Sequence, residues 1–290
     1  LLGFNAEQLS NAVGIACASA AGNKAFSVTG GMGKRLHAGL ASRAGVLAAR
    51  LAEAGFTGPS GAIDGQYGLL DVISGAQKRP EMLDAALGER FEVDRTMIKT
   101  YACCAVLQTT LEAVTKLRRL HGFDARAVKT MRVGSSERAA SQNNERAPAD
   151  LMAAQYSLPF CASLAMRTDP IDPRAFSFQA ISDPNIKSFM DKIEMYVDDT
   201  MQAVYPRSMG AKVSIELSDG RVMEQAIVDA HGTDVVPYSD AELEVKFKRL
   251  AGLAIGDMAA ERLVIAIADL KRGKGIAPLS AALRTASAPA

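Results

Sequence analysis

Apolar residues recur at helical spacing through the first part of the chain. Asn5 and Gln8 are spaced as a helix N-cap and its reciprocal partner, and Leu9, Val13, Ala16 and Ala20 then predict a helix with one buried face. After Gly30, Gly31, Met32 and Gly33 a second helix is expected, with Leu36, Leu40, Leu47 and Leu51 turned inward and Gly55 as its left-handed stop. The many alanines in between imply close helix packing. Glycines and Pro59 break the periodicity over 56–75, and short helical spacing returns to about residue 87. Farther on, 97–101 reads as a short strand, 106–120 as a helix burying Leu107, Leu111, Val114 and Leu117, and 128–133 as a strand. The polar stretch 135–148 reads as a loop, and 149–166 and 185–197 as helices. Residues 212–217 alternate polar and apolar, Asp219-Gly220 supplies a two-residue turn, and 222–228 returns as the partner strand. Ser239 with Glu242 forms a capping box ahead of Leu243, Phe247 and Leu250, and the tail 284–290 is expected to fray.

A chain of 290 residues suggests two domains, with a boundary near residue 83. Apolar residues are 48%, charged residues 22% and the net charge is +1, so no global field draws in nucleic acid or an anionic membrane. Neither a membrane-length apolar run nor a signal-peptide pattern occurs, which points to a soluble protein. Four cysteines, two of them adjacent, are too few for a disulfide framework and fit the reducing cytoplasm. The first residue is Leu1, not methionine, and a fragment or processed form is expected.

Candidate chemistry begins at Gly30-Gly31-Met32-Gly33-Lys34-Arg35-Leu36-His37. A glycine-rich turn entering a helix exposes backbone N–H groups to an anion, and Lys34 and His37, three apart, share a helix face. The spacing is neither a P-loop nor a dinucleotide fingerprint. On spacing alone a flexible turn with a solvated lysine and a satisfied histidine remains the simpler reading. A second cluster joins Lys99, Tyr101, Cys103, Cys104 and Gln108 where an extended segment meets a helix start. No cysteine-protease set accompanies the thiols, which read as structural, and no pair of histidines or cysteines has zinc-site spacing, so no metal is expected. His121 and His231 read as helix-end and surface residues.

Taken together, Lys34-Arg35-Leu36-His37 with Gly39, then Ala52-Glu53-Ala54-Gly55-Phe56-Thr57-Gly58-Pro59, then Lys99-Thr100-Tyr101-Ala102-Cys103-Cys104, and finally 239–247, resemble successive motifs of the MmgE/PrpD family, in order and over nearly the whole chain. The family includes 2-methylcitrate dehydratase, cis-aconitate decarboxylase and iminodisuccinate epimerase. The resemblance implies an α+β fold, with a mainly helical domain at 1–82 and 236–290 and a smaller α+β lid at 83–235. The helical domain would lack its N-terminal part, because the family's upstream Asp/His-rich motif has no counterpart here. It further implies a homodimer acting on a small carboxylic acid with no cofactor. Carried over by residue, Lys34 and Lys99 line a carboxylate pocket, His37 completes the first motif, and Tyr101 and Cys161 fall at or beside pocket positions. By the resemblance, Cys104 stands where the decarboxylases have histidine and Gln108 where many members do. The expected roles are catalysis by His37, Lys99 and Tyr101, and substrate binding by Lys34, Lys99, Cys104, Gln108 and Cys161. A metal-independent dehydratase of the 2-methylcitrate type is the first expectation, an epimerase, isomerase or decarboxylase the second, and a non-catalytic carboxylate-binding remnant the third.

Overall fold

Capping chemistry sets where the first helix begins. In the computed structural model, which describes residues 2–286 apart from the side chains of Ser27 and Val28, Asn5 accepts the Gln8 amide at 2.9 Å and Gln8 accepts the Asn5 amide at 3.1 Å. This reciprocal box starts α1 (Ala6–Ala18) as the spacing predicts. A single turn, α2 (Phe26–Thr29), precedes α3 (Gly33–Glu53). The latter stops where Gly55 takes φ 89° and Phe56 N–H reaches back to the Leu51 carbonyl at 2.9 Å. Beyond a glycine-rich turn, α4 spans Leu69–Ser74.

The inward face of α3 is not the leucine stripe. Ala48 and Ala52 are buried, whereas Leu36 is 63% exposed and Leu40 and Leu47 are also open. At ~100° per residue these leucines lie roughly a third of a turn round the helix from the buried alanines. Likewise α1 buries Ala12 and Gly14 and leaves Leu9 exposed. Small residues win these positions because α1 packs on α3 and on the turn at Gly58 by close backbone approach. A Cβ on Gly58 would lie 2.5 Å from the Asn11 carbonyl oxygen and 2.8 Å from the Ile15 amide. Gly58→Ala should therefore cost about 1–3 kcal/mol in a denaturant melt, since backbone cannot swing aside as a flexible side chain can. An unchanged midpoint would mean that this approach is looser than described.

The sheet region starts with α5 (Gln108–His121), which buries Leu111, Val114 and Leu117 behind Leu107 and ends at left-handed Gly122, φ 59°, as its pattern predicts. There follow β1 (Val128–Ser135), α6 (Glu137–Gln142), α7 (Leu151–Tyr156), α8 (Leu158–Ala165), α9 (Phe178–Ser182), α10 (Pro184–Met190), β2 (Ile193–Val197), α11 (Asp199–Val204), β3 (Ala211–Leu217) and β4 (Val222–Ile227). The strands lie in the order β2-β1-β3-β4, with β1 parallel to β2 and the other pairs antiparallel. Buried apolar residues of α5, α8, α10 and the sheet form one core.

Four sequence expectations change here. Residues 97–101 form no strand: Gln108's side-chain amide occupies both the N–H and the carbonyl of Tyr101, leaving them no ladder to join. The loop expected over 135–148 contains α6, capped by Ser136. The helix expected over 149–166 is two helices, since Pro159 has no N–H to continue the first and Ser157 caps the second by accepting Phe160 N–H at 3.0 Å. The helix expected over 185–197 ends at Met190, and Ile193–Val197 pairs with β1 instead, tertiary pairing overriding a weak helical pattern. The β3–β4 hairpin forms as predicted but turns through three residues, with Leu217 N–H on the Arg221 carbonyl at 2.9 Å and Gly220 at φ 88°.

Past β4, the Ser239–Glu242 capping box starts α12 (Asp240–Ile255), followed by α13 (Asp257–Lys271) and α14 (Ala277–Thr285). Arg284 and Thr285 are thus helical, and 287–290 of the tail expected to fray lie outside the described residues. The chain forms two compact units, one running up to Arg95 together with Lys99–Ala230, the other joining Thr96–Ile98 to the segment from His231 onward. The fold class is α+β. Among the described residues no helix is long and apolar enough to cross a membrane.

Candidate functional site

The short helix α7 is where the two candidate motifs meet in the first unit. At its start, Asp150 accepts Ala153 N–H at 2.8 Å as an N-cap, and its other carboxylate oxygen accepts Gly31 N–H at 2.7 Å. The Ala153 and Gly31 amides hold this carboxyl below the usual carboxylate range. Gly30, at φ 79°, lies so close that a Cβ there would sit 2.6 Å from the Asp150 carboxylate. At the other end of α7, the Lys34 ammonium lies over the Tyr156 ring, 4.8 Å from its centroid. Phe26 packs edge-on against both Tyr156 and His37, at centroid distances of 5.9 and 5.5 Å. Lys34 and His37 are half-buried, and among the described residues neither has a hydrogen-bond or ion-pair partner. A half-buried ammonium with no anionic partner among the described residues is able to receive an anion from outside.

The second motif reaches α7 through a missing proton. Pro159 has no N–H to offer the Gln155 carbonyl four residues back, and that carbonyl accepts Cys104 N–H at 2.9 Å. Within the motif, Gln108 is only 1% exposed: its oxygen accepts Tyr101 N–H at 3.0 Å and its nitrogen donates to the Tyr101 carbonyl at 3.0 Å and approaches the Cys103 sulfur at 3.2 Å. Lys99 donates to the Cys103 carbonyl at 3.1 Å. Cys161, with no exposed surface, donates to the Ala154 carbonyl at 3.3 Å; burial pushes its thiol well up, and the adjoining Cys103 thiol adds to this.

The structure therefore sets Lys34 over Tyr156 at the end of α7 with His37 beyond Phe26, and Lys99, Tyr101, Cys104, Gln108 and Cys161 about the segment bonded to Gln155. The resemblance puts Gln108 and Cys161 against the ligand, whereas both are enclosed here and touch protein atoms. Tyr101 is buried, while Lys99 and Cys104 keep part of their surface. Reading the sequence missed Asp150, Tyr156 and Phe26. Asp150 carries a local signal, an N-cap residue directly ahead of the helix that starts at Leu151, whereas Tyr156 and Phe26 carry none. Among the described residues, no group of three or more His, Cys, Asp and Glu side chains is arranged to hold a metal. A cavity of about 300 Å³ opens elsewhere in this unit, against Leu9, Ser10, Val13, Pro59, Ser60 and Ile63, but no cation lines it.

All four cysteines are free thiols, two buried and two partly exposed. Brief treatment with an alkylating reagent should label Cys17 and Cys104 first and leave Cys103 and Cys161 to react on unfolding, because the thiolate must form where reagent can reach it. Peptide mass spectrometry checks the order, and early labelling of Cys161 would contradict its enclosure.

Two family models match most of the chain. The MmgE/PrpD N-terminal domain matches residues 1–81 and the MmgE/PrpD C-terminal domain matches 101–272. The chain belongs to the MmgE/PrpD family. In these terms the first motif lies in the N-terminal match, Tyr101 opens the C-terminal one, and Lys99 sits in the segment between them. Similar proteins include the cis-aconitate decarboxylase-like protein oryM of Aspergillus oryzae, 25% identical over 97% of this chain and 61% of that protein. A cis-aconitate decarboxylase of Aspergillus terreus is 26% identical over 96% of this chain and 60% of its own length. The chain thus spans about three fifths of the curated relatives it matches.

Proposed function

We propose that this MmgE/PrpD protein is a lyase that removes water from a small di- or tricarboxylic acid, in the manner of 2-methylcitrate dehydratase. The observation that carries the reading is the pair Lys34 and His37, half-buried against Tyr156 and Phe26 respectively and with no anionic partner among the described residues. Lys34 and Lys99 bind carboxylates, each charge-assisted hydrogen bond contributing about 1.5–3 kcal/mol, and stabilise the negative charge that develops when the carbon next to a carboxylate loses its proton. His37 takes that proton. The electron pair left behind forms the double bond as the hydroxyl departs, and a proton donated by Tyr101 turns the leaving hydroxide into water. Cys104 completes the wall, with Gln108 and Cys161 behind it. Only the coarser class, a lyase acting on a tricarboxylate, is supported by the names of the relatives.

Decarboxylation is the second reading, and the same names favour it. Against it, the resemblance sets Cys104 where the family's decarboxylases have histidine and Gln108 where many members do, the latter with its amide wholly engaged by the Tyr101–Cys104 segment. Proton NMR of the full-length protein in deuterated buffer, with 2-methylcitrate, cis-aconitate and an aspartate-derived dicarboxylate in turn, separates the readings. Loss of water to an alkene supports the dehydratase, release of carbon dioxide replaces it with the decarboxylase, and solvent exchange of the α-proton alone replaces it with an epimerase. Binding without turnover leaves a carboxylate-binding cleft, and absence of binding removes the site.

A further inference from the structure

We propose that Asp150 is a positioning residue, whose second carboxylate oxygen anchors the Gly30–Gly31 turn and thereby aims Lys34 at the bound carboxylate. The inference rests on the reading of Lys34 as an anion-binding group, and goes beyond it by assigning what holds that group in place.

Two demands meet on one side chain. As the N-cap of α7, Asp150 needs a single oxygen, and Ala153 N–H takes it at 2.8 Å. The second oxygen is not needed for the cap; it accepts Gly31 N–H, 119 residues away, at 2.7 Å. Gly31 lies two residues before the start of α3, so this bond fixes where the first turn of α3 begins, and Lys34 belongs to that turn. The far end of α7 meets the same turn through Tyr156, over whose ring the Lys34 ammonium lies. The first turn of α3 is thus held to α7 at both ends of the short helix. Nothing bulkier than glycine fits between: a Cβ on Gly30 would press on both Asp150 oxygens, at 2.6 and 2.7 Å. The ammonium itself has no hydrogen bond among the described residues, so its place depends on backbone position and on the ring beneath it.

Asp150→Ser separates the two roles. Serine keeps an oxygen suited to capping Ala153, yet its one short hydroxyl cannot serve Gly31 as well. Three readouts are taken on the full-length protein: the melting temperature, the affinity for the unreactive tricarboxylate tricarballylate by calorimetry, and the acylation rate of Lys34 relative to Lys99, read by peptide mass spectrometry. Expected is a melting temperature close to that of the parent, a loss of affinity of about fivefold, the weight of one ordinary hydrogen bond, and a Lys34:Lys99 acylation ratio raised by a similar factor. With a turned-over substrate the loss should fall on KM more than on kcat. Asp150→Glu, which restores the charge at the wrong reach, should not rescue. If Asp150→Ser leaves both the acylation ratio and the affinity at parental values, Asp150 is a helix cap only and the inference is overturned. Lys34→Ala serves as the control: should it leave tricarballylate affinity unchanged, the anion-binding reading of Lys34 fails, while the acylation ratio still decides whether Asp150 positions the side chain.

Discussion

Replacing Lys34 with alanine should weaken binding of a small tricarboxylate by roughly 10- to 150-fold, the equivalent of one charge-assisted hydrogen bond of about 1.5–3 kcal/mol. The expectation follows from what Lys34 lacks. Its ammonium is half-buried over the Tyr156 ring and has no ion pair among the described residues, so little protein structure depends on its charge and the melting temperature should hardly move. Lys34→Arg should recover only part of the affinity, because the planar guanidinium stacks on the ring and presents its donors elsewhere. Lys99→Ala should differ in kind. Lys99 also donates to the Cys103 carbonyl at 3.1 Å, so its loss should lower both affinity and the order of the Tyr101–Cys104 segment. Calorimetric titration of the two variants beside the parent, with a thermal melt of each, checks the pair. Parental affinity in Lys34→Ala would withdraw the candidate site.

The largest loss of stability should come from Phe160→Ala, at about 3–5 kcal/mol. Phe160 is 1% exposed on α8, packs at a tilt against Phe176 with 6.4 Å between centroids, and belongs to the core shared by α5, α8, α10 and the sheet. Truncation leaves a cavity that helices fixed on both sides of Ser157 cannot close. Leu36→Ala is the informative partner. The leucine stripe on α3 looks like core by its spacing, yet Leu36 is largely exposed, so this variant should fall within about 0.5 kcal/mol of the parent. Urea unfolding midpoints compare the two directly. A cost for Leu36→Ala approaching that of Phe160→Ala would show that this face of α3 is covered in the protein as it exists in solution.

Much of the fold was legible because its causes are local. A reciprocal cap begins α1 and another begins α12, a glycine ends α3 and another ends α5, and alternation with Asp219-Gly220 makes the β3–β4 hairpin; each depends on residues within a few positions of one another. The motifs around Lys34 and Lys99 were legible for the same reason, as was the family they belong to. What only the tertiary structure decided depends on partners far away in the chain. Which face of α3 is buried was set by how closely α1 can approach, and alanine wins where leucine is too large. Ile193–Val197 became a strand because β1 offered it a partner, not because its own pattern demanded one. Asp150 entered the site only through Gly31, and Tyr156 only through Lys34, each more than a hundred residues earlier. Sequence spacing records which side chains one helix or strand can present together; whether an oxygen freed by Pro159 meets the amide of Cys104 is settled only when the elements pack.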